Sequence, residues 1–368
     1  MKKWLKITLC VLLAVIIAGG CVTYAFLPHN FSYDIKSLEN VGSDVEIVSK
    51  ADDGYTVKKA SDGEFKVITF TDTHLDGKNK TSNVTLENIV DNIRREKPDL
   101  VIFGGDNVTS GINRKRSHQF AQMLENLGVY WAAVLGNHEG DNSWSISRPE
   151  MISIFSSYEH CLMLEGPDDI WGDGNYYINI LNADNTLRHT FVLMDSGRHM
   201  DSETKAQYGV PESEDPYDGV KTSQVEWYKG VIAANKEKYG DFKSTVIMHI
   251  PLPQMREQAE KIENGEGAFL LGDKREGVCA SGFDSGMFAA IKECGSTTKV
   301  FFGHDHLNDF ALDCDGVYLS YMQPSGYGSY SMASKFDAPE KDWLQGHTVF
   351  LIPADGDYNP VHYRNCEK

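Results

Sequence analysis

Seven cysteines in 368 residues, with no CxxC pair, leave no basis for a thiolate zinc site or a dense disulfide framework. Cys10 and Cys21 belong to an apolar N-terminal segment. The other five, Cys161, Cys279, Cys294, Cys314 and Cys366, are an odd number that the sequence does not pair. Positive charge is also scarce: 35 Lys and Arg stand against 53 Asp and Glu, a formal net charge of −18. That balance argues against a nucleic-acid partner, because binding a phosphate backbone needs a basic surface. An anionic substrate would need local help, for example from metal cations. There is no internal repeat and no low-complexity tract.

What is present begins with an export or anchoring signal. Lys2, Lys3 and Lys6 precede an uncharged run from Ile7 to Leu27, close to the ~20 apolar residues that span a bilayer. This predicts an uncleaved membrane anchor over residues 1–27. Ala18-Gly19-Gly20-Cys21 offers the alternative of a lipoprotein cleavage site. Either way the remainder is expected outside the cytoplasm, at the cell membrane, where one or two disulfides are permitted. Residues 28–63 read as a spacer and edge segment, and 64–368 as one large domain.

Within that domain strands and helices alternate. Phe65 to Phe70, Leu100 to Phe103, Trp131 to Leu135, Tyr176 to Leu181, Thr190 to Met194, Thr245 to Met248 and Lys299 to Phe302 read as strands. Leu86, Ile89, Val90 and Ile93 fall at helical spacing, and helices are expected near Ser117 to Leu127 and Gln224 to Asn235. The class is α/β, with helices covering the sheets. Two segments read as insertions: the acidic, turn-rich Arg198 to Gly219, a solvated loop or a rim over the site, and Gln254 to Gly282.

Five of the strands end alike. They run into Asp72-Thr73-His74, Gly104-Gly105-Asp106-Asn107, Gly136-Asn137-His138-Glu139, His249 and Gly303-His304-Asp305-His306. The carboxyl ends of strands in such a sheet converge on one crevice, and the glycines let the backbone turn sharply beneath it. A strand-terminal Asp or His is, taken singly, more often a turn former. Five together describe a coordination shell of carboxylates, imidazoles and an amide oxygen, suited to borderline first-row divalent ions. Seven side chains fill two sites if one carboxylate bridges, and two ions ~3.5–4 Å apart serve phosphoester hydrolysis.

The ordered series DxH, GGDN, GNHE, a strand-terminal histidine and GHDH, from about Phe65 to Asp309, resembles the calcineurin-like metallophosphoesterases. Within it "WAAVLGNHEG", "VLMDSG", "SQVEWYKGV", "MHIPLP" and "FFGHDHLNDF" resemble the purple-acid-phosphatase-related, single-domain branch. The resemblance implies two stacked mixed β-sheets flanked by helices. It also implies a first metal on Asp72, His74 and His306, a second on Asn137, His249 and His304, and Asp106 bridging both. His138 would face the substrate, with Glu139 orienting it. Purple acid phosphatases carry a tyrosine three residues after the bridging aspartate. Here that residue is Thr109, so manganese, zinc or ferrous iron is expected rather than a ferric-tyrosinate centre.

Arg256 and Arg275 are candidate phosphate clamps, since a guanidinium can grip phosphate with two hydrogen bonds, and Tyr327 is a candidate rim residue. The expected protein is an exported, membrane-tethered phosphoesterase in which a hydroxide between the metals attacks a small phosphate monoester. Diesterase or nucleotide-hydrolase activity, or a non-catalytic surface binding protein, are the alternatives.

Overall fold

Alternating side-chain directions sort the chain of this computed structural model into two sheets. It describes residues 33–61, 63–76, 79–111, 113–141, 144–214, 216–330 and 344–365. The expected anchor 1–27, Cys21 and Cys366 lie outside the described residues, among which no helix is long and apolar enough to cross a membrane.

In chain order the strands are β1 (Val45–Lys50), β2 (Gly54–Lys59), β3 (Phe65–Phe70), β4 (Leu100–Phe103), β5 (Trp131–Ala133), β6 (Tyr176–Leu181), β7 (Leu187–Leu193), β8 (Ser244–Ile247), β9 (Thr297–Phe302), β10 (Ala311–Cys314), β11 (Val317–Tyr321), β12 (Gly346–Ile352) and β13 (Val361–Arg364). The α-helices are α1 (Asn79–Glu96), α2 (Arg114–Leu127), α3 (Arg148–Ser156), α4 (Ser202–Tyr208), α5 (Thr222–Tyr239), α6 (Pro253–Glu263) and α7 (Met287–Cys294). One sheet has the order β1-β2-β6-β7-β8-β9-β11-β10 and the other β13-β12-β3-β4-β5. Both are mixed: β3, β4 and β5 run parallel, as do β7, β8 and β9, while β12 pairs antiparallel with β3.

Period-2 alternation gives each central strand two buried faces. On β9, Phe301 joins the core between the sheets, and Val300 and Phe302 join a second core on the outer face. Phe350 of β12 packs on Phe301 and Phe191 with ring centroids 4.6 and 6.2 Å apart, fastening one sheet to the other. The outer core is closed by Val225, Tyr228 and Ile232 of α5 and by Met287 and Ile291 of α7. On the other side Leu86, Ile89, Val90 and Ile93 of α1 are fully buried.

Local signals explain the helix limits. Ser147 accepts the Glu150 N–H ahead of α3, Asp201 accepts the Thr204 N–H ahead of α4, and Gly128 ends α2 in the left-handed conformation. The Arg198 to Gly219 segment, expected as an irregular loop, carries the two-turn α4. Its ends return to one another through the His199–Tyr217 bridge.

Candidate metal centre

The ligand-bearing turns leave both sheets at the same end. Asp72 and His74 follow β3, Asp106 follows β4, Asn137 follows β5, His249 follows β8, and His304 and His306 follow β9. Backbone hydrogen bonds lock neighbouring turns together: Asp72 N–H donates to Gly105 O (3.0 Å), His74 N–H to Asp106 O (2.8 Å) and Gly303 N–H to His249 O (3.1 Å). Four of the expected ligands, Asp72, His74, Asp106 and His304, hold positive φ of 55°, 42°, 51° and 81°. For residues with a Cβ this costs roughly 1–2 kcal/mol each, a strain that clusters at functional turns. Gly105 has φ 101°, and a Cβ there would stand 2.4 Å from His249 Nδ1. Only glycine lets the β4 turn pass under that imidazole.

Ligand atoms of Asp72, His74, Asp106 and His306 all lie within 4.8 Å of one another, and all four residues are buried. His74 Nε2 and His306 Nε2 face each other at 3.1 Å. His306 Nε2 is 3.3 Å from Asp72 Oδ1, and His74 Nε2 is 3.4 Å from Asp106 Oδ2. On the other side of Asp106, His249 Nε2 lies 3.3 Å from Asp106 Oδ2 and 3.1 Å from Asn137 Oδ1. The His304 ring stands 5.2 Å from that of His249. The turns thus bring all seven expected donors together, with Asp106 between the two groups.

The electrostatics suit cations. Burial pushes the Asp72 carboxyl up, but the charges of His306 and His249 outweigh it and bring its pKa to about 2. Burial pushes His74 down to about 4 and His304 to about 3, so both are neutral with lone pairs available. His249 is the exception, held up at about 10: burial opposes its charge, but Asp106 and Asp72 prevail, so without an ion it carries a proton against those carboxylates that a bound cation would have to displace. Among the described residues Asp106 Oδ2 and His304 Nε2 are buried with no well-formed hydrogen bond, Asp106 Oδ2 meeting only the His74 and His249 imidazoles at 3.4 and 3.3 Å. Stranding such groups costs about 1–3 kcal/mol each, so a cation that engages both fits this arrangement.

Other expected residues sit differently. Glu139 does not orient His138. Fully buried, it accepts backbone N–H bonds from Gly136 (2.8 Å), Asp106 (3.2 Å) and Asn107. It therefore ties the β5 turn to the β4 turn. Burial and the Asp106 charge push its carboxyl up to about 7. The partner of His138 is Asp141, which receives Nδ1 and also binds Arg198. Arg275 is not a free clamp: its guanidinium is held by Asp309 (2.8 Å) and Asp273. Arg256 is half-buried near the start of α6, with no ion pair among the described residues. Tyr327 uses its hydroxyl to accept from Asn365 Nδ2 at 2.9 Å. The aromatic on the donor set is Tyr330, stacked on His306 at 4.3 Å, with Tyr217 edge-on to His304 at 4.3 Å.

Asp305 and Asp309, the carboxylates of "FGHDHLND" outside the donor set, are structural. Asp305 accepts Tyr321 O–H and Cys279 N–H, and Asp309 is fully buried against Arg275 and Arg364. Asp141 was within reach of sequence reasoning as the end of "GNHEGD", three residues after His138. Arg198 carried no such signal, because 57 residues separate it from Asp141.

A calcineurin-like phosphoesterase family model matches residues 65–308. Probable inactive purple acid phosphatase 14 of Arabidopsis thaliana is 30% identical over 308 residues, covering 73% of this chain and 72% of that protein. Probable inactive purple acid phosphatase 29 of the same plant is 28% identical over 309 residues, covering 74% of each. Among solved structures, a dimetal phosphatase from Danio rerio superposes with a TM-score of 0.52 at 17% identity, covering 82% of this chain and 100% of that one.

Proposed function

The chain belongs to the calcineurin-like phosphoesterase family, and from that premise we propose that it is a working phosphomonoesterase of two divalent ions, exported and tethered to the cell membrane. One observation carries the catalytic part: no expected donor is replaced, and the seven stand together with His138 beside them at the rim, its side chain 46% exposed. The two Arabidopsis relatives are named inactive. That favours the second reading, a non-catalytic binding protein, but the complete donor set opposes it.

Asp72, His74 and His306 would hold one ion, Asn137, His249 and His304 the other, with Asp106 shared. The ions, manganese, zinc or iron, supply Lewis acidity toward phosphoryl oxygens and activate water near neutral pH. The protein does the rest. His249 Nδ1 donates to Gly104 O at 2.8 Å, which orients its Nε2 into the centre. His138 N–H donates to Asp106 Oδ1 at 2.9 Å, tying the rim histidine to the shared carboxylate. Asp141 fixes the His138 ring through Nδ1, leaving Nε2 to hold a proton for the leaving oxygen.

Export and tethering rest on residues 1–27 alone, and deleting them should release the protein from membranes; a deletion variant that stays membrane-bound refutes the anchor. The catalytic test is the full-length protein, reconstituted with manganese, zinc or iron and assayed on mono- and diesters. Turnover of monoesters supports the proposal, diester preference moves it to a diesterase or nucleotide hydrolase, and inactivity with every metal supports the binding protein. His138→Ala should keep its metals and lose about 10²–10⁴-fold in kcat. The loss should be smaller on a nitrophenyl ester, whose leaving group needs little protonation.

A further inference from the structure

We propose that Arg198 is the residue that grips the substrate phosphate and that it selects dianionic monoesters over diesters, an inference that rests on the phosphoesterase reading above. Arg198 leaves the end of β7 and reaches across the β5 turn. Its Nε donates to the backbone oxygen of Asn137 at 3.0 Å, the residue whose side-chain Oδ1 lies 3.1 Å from His249 Nε2. Its Nη2 donates to one oxygen of Asp141, and the other oxygen of that carboxylate holds His138 Nδ1. The guanidinium therefore sits beside an expected metal ligand and the rim histidine, fastened at two points, with its side chain 39% exposed.

The other guanidiniums near these turns are differently committed. Arg148 is only 12% exposed and is paired with Asp195 and Asp173, while its Nη1 donates to Gly136 O. Arg275 is paired with Asp309 and Asp273. A guanidinium has five N–H groups in one plane. Two of Arg198's are used by Asn137 and Asp141, so among the described residues three remain for a ligand.

The backbone of Arg198 is also held. Asp218 N–H donates to Arg198 O at 3.0 Å, and Asp218 is itself bound by Lys221, which is buried against Trp171 and Phe283 with its Nζ 4.7 and 4.6 Å from their ring centroids. A clamp whose position is set before the ligand arrives loses little entropy on binding. In a chain of net charge −18, a guanidinium beside the donor set is the local positive group that a phosphate needs in addition to the ions. A monoester dianion offers terminal oxygens and two charges to a planar fork. A diester has one charge and replaces one terminal oxygen with an ester group, so it gains less.

The experiment uses the full-length, metal-loaded protein and measures inorganic phosphate binding by calorimetry, metal content, and kcat/KM on an aryl monoester and an aryl diester. Arg198→Ala should keep its metals, bind phosphate about 10- to 100-fold more weakly and lose more on the monoester than on the diester. Arg198→Lys should recover part of the charge but not the fork. Asp141→Ala keeps the guanidinium and its hold on Asn137 O but removes one of its two fastenings, so it should weaken phosphate binding clearly less than Arg198→Ala. Unchanged phosphate affinity in a metal-replete Arg198→Ala protein overturns the assignment while leaving the phosphoesterase reading standing. Equal losses on both esters, or an Asp141→Ala variant as weak as Arg198→Ala, would overturn it in favour of a role through His138. A wild-type protein that carries metal yet neither binds phosphate nor turns over any ester overturns both.

Discussion

Glu139 is the carboxylate that ties the turn carrying Asp106 to the turn carrying Asn137, and Glu139→Gln is the perturbation that isolates its role. Its two oxygens accept three backbone N–H groups, from Gly136 and Asp106 on Oε2 and from Asn107 on Oε1. A glutamine of the same shape has one oxygen and one NH2, so at least one buried N–H loses its acceptor and faces another donor. Leaving a buried donor unsatisfied costs about 1–3 kcal/mol. With Tm falling by roughly 2–4 °C per kcal/mol in a large domain, the metal-free variant should melt a few degrees below wild type. The displaced turns carry Asp106 and Asn137, so metal affinity should fall by about 10–100-fold, the usual cost of removing a group that orients ligands. Thermal melts with and without metal, together with competition against a chelator, read both quantities. Unchanged Tm and metal affinity, with kcat depressed as in a His138 variant, would refute the turn-tying role and restore Glu139 as the orienter of His138.

Replacing the proposed shared carboxylate by Asp106→Ala should reduce bound metal as well as activity, and normal metal content with normal turnover would remove Asp106 from the proposed centre. Asp309→Ala removes a fully buried carboxylate that accepts from Arg275 Nη1 (2.8 Å), Arg364 Nε (2.9 Å) and Nη2 (2.6 Å), and Asp273 N (2.8 Å). Because both arginines are partly exposed, the cost should be about 2–4 kcal/mol, somewhat under that of a fully buried pair. Burial opposes the Asp309 charge, but Arg275 and Arg364 hold its carboxyl below the ordinary range. Its contribution is therefore present above the unfolded pKa and lost as pH falls through the lower folded value, so wild-type and variant melting temperatures should converge in acid. A gap that widens in acid would contradict the sign. With Thr109 where purple enzymes have tyrosine, the iron-loaded protein should show no visible tyrosinate absorption; a purple preparation would point to Tyr330 or Tyr217 as a ligand.

The donor set was legible because its information is local. Each proposed ligand sits within a few residues of an apolar strand, beside a glycine in three of the turns, and strand direction alone sends those ends to one side of a sheet. The strands appeared for the same reason, although β5 stops at Ala133 rather than Leu135 and β7 begins at Leu187 rather than Thr190. Charge pairing followed another rule. Whether Arg275 clamps a phosphate or an aspartate depends on Asp309, 34 residues away. The task of Glu139 depends on N–H groups 32 and 33 residues earlier. A periodicity reports which face of an element is buried, whereas an ion pair requires two chain segments to meet within a few ångströms. Only the packing of the β4, β5 and β7 turns against one another turned Glu139 toward the backbone and set Arg198 beside Asn137 and His138, and only the segment after β9, through Asp309, took Arg275 out of the site.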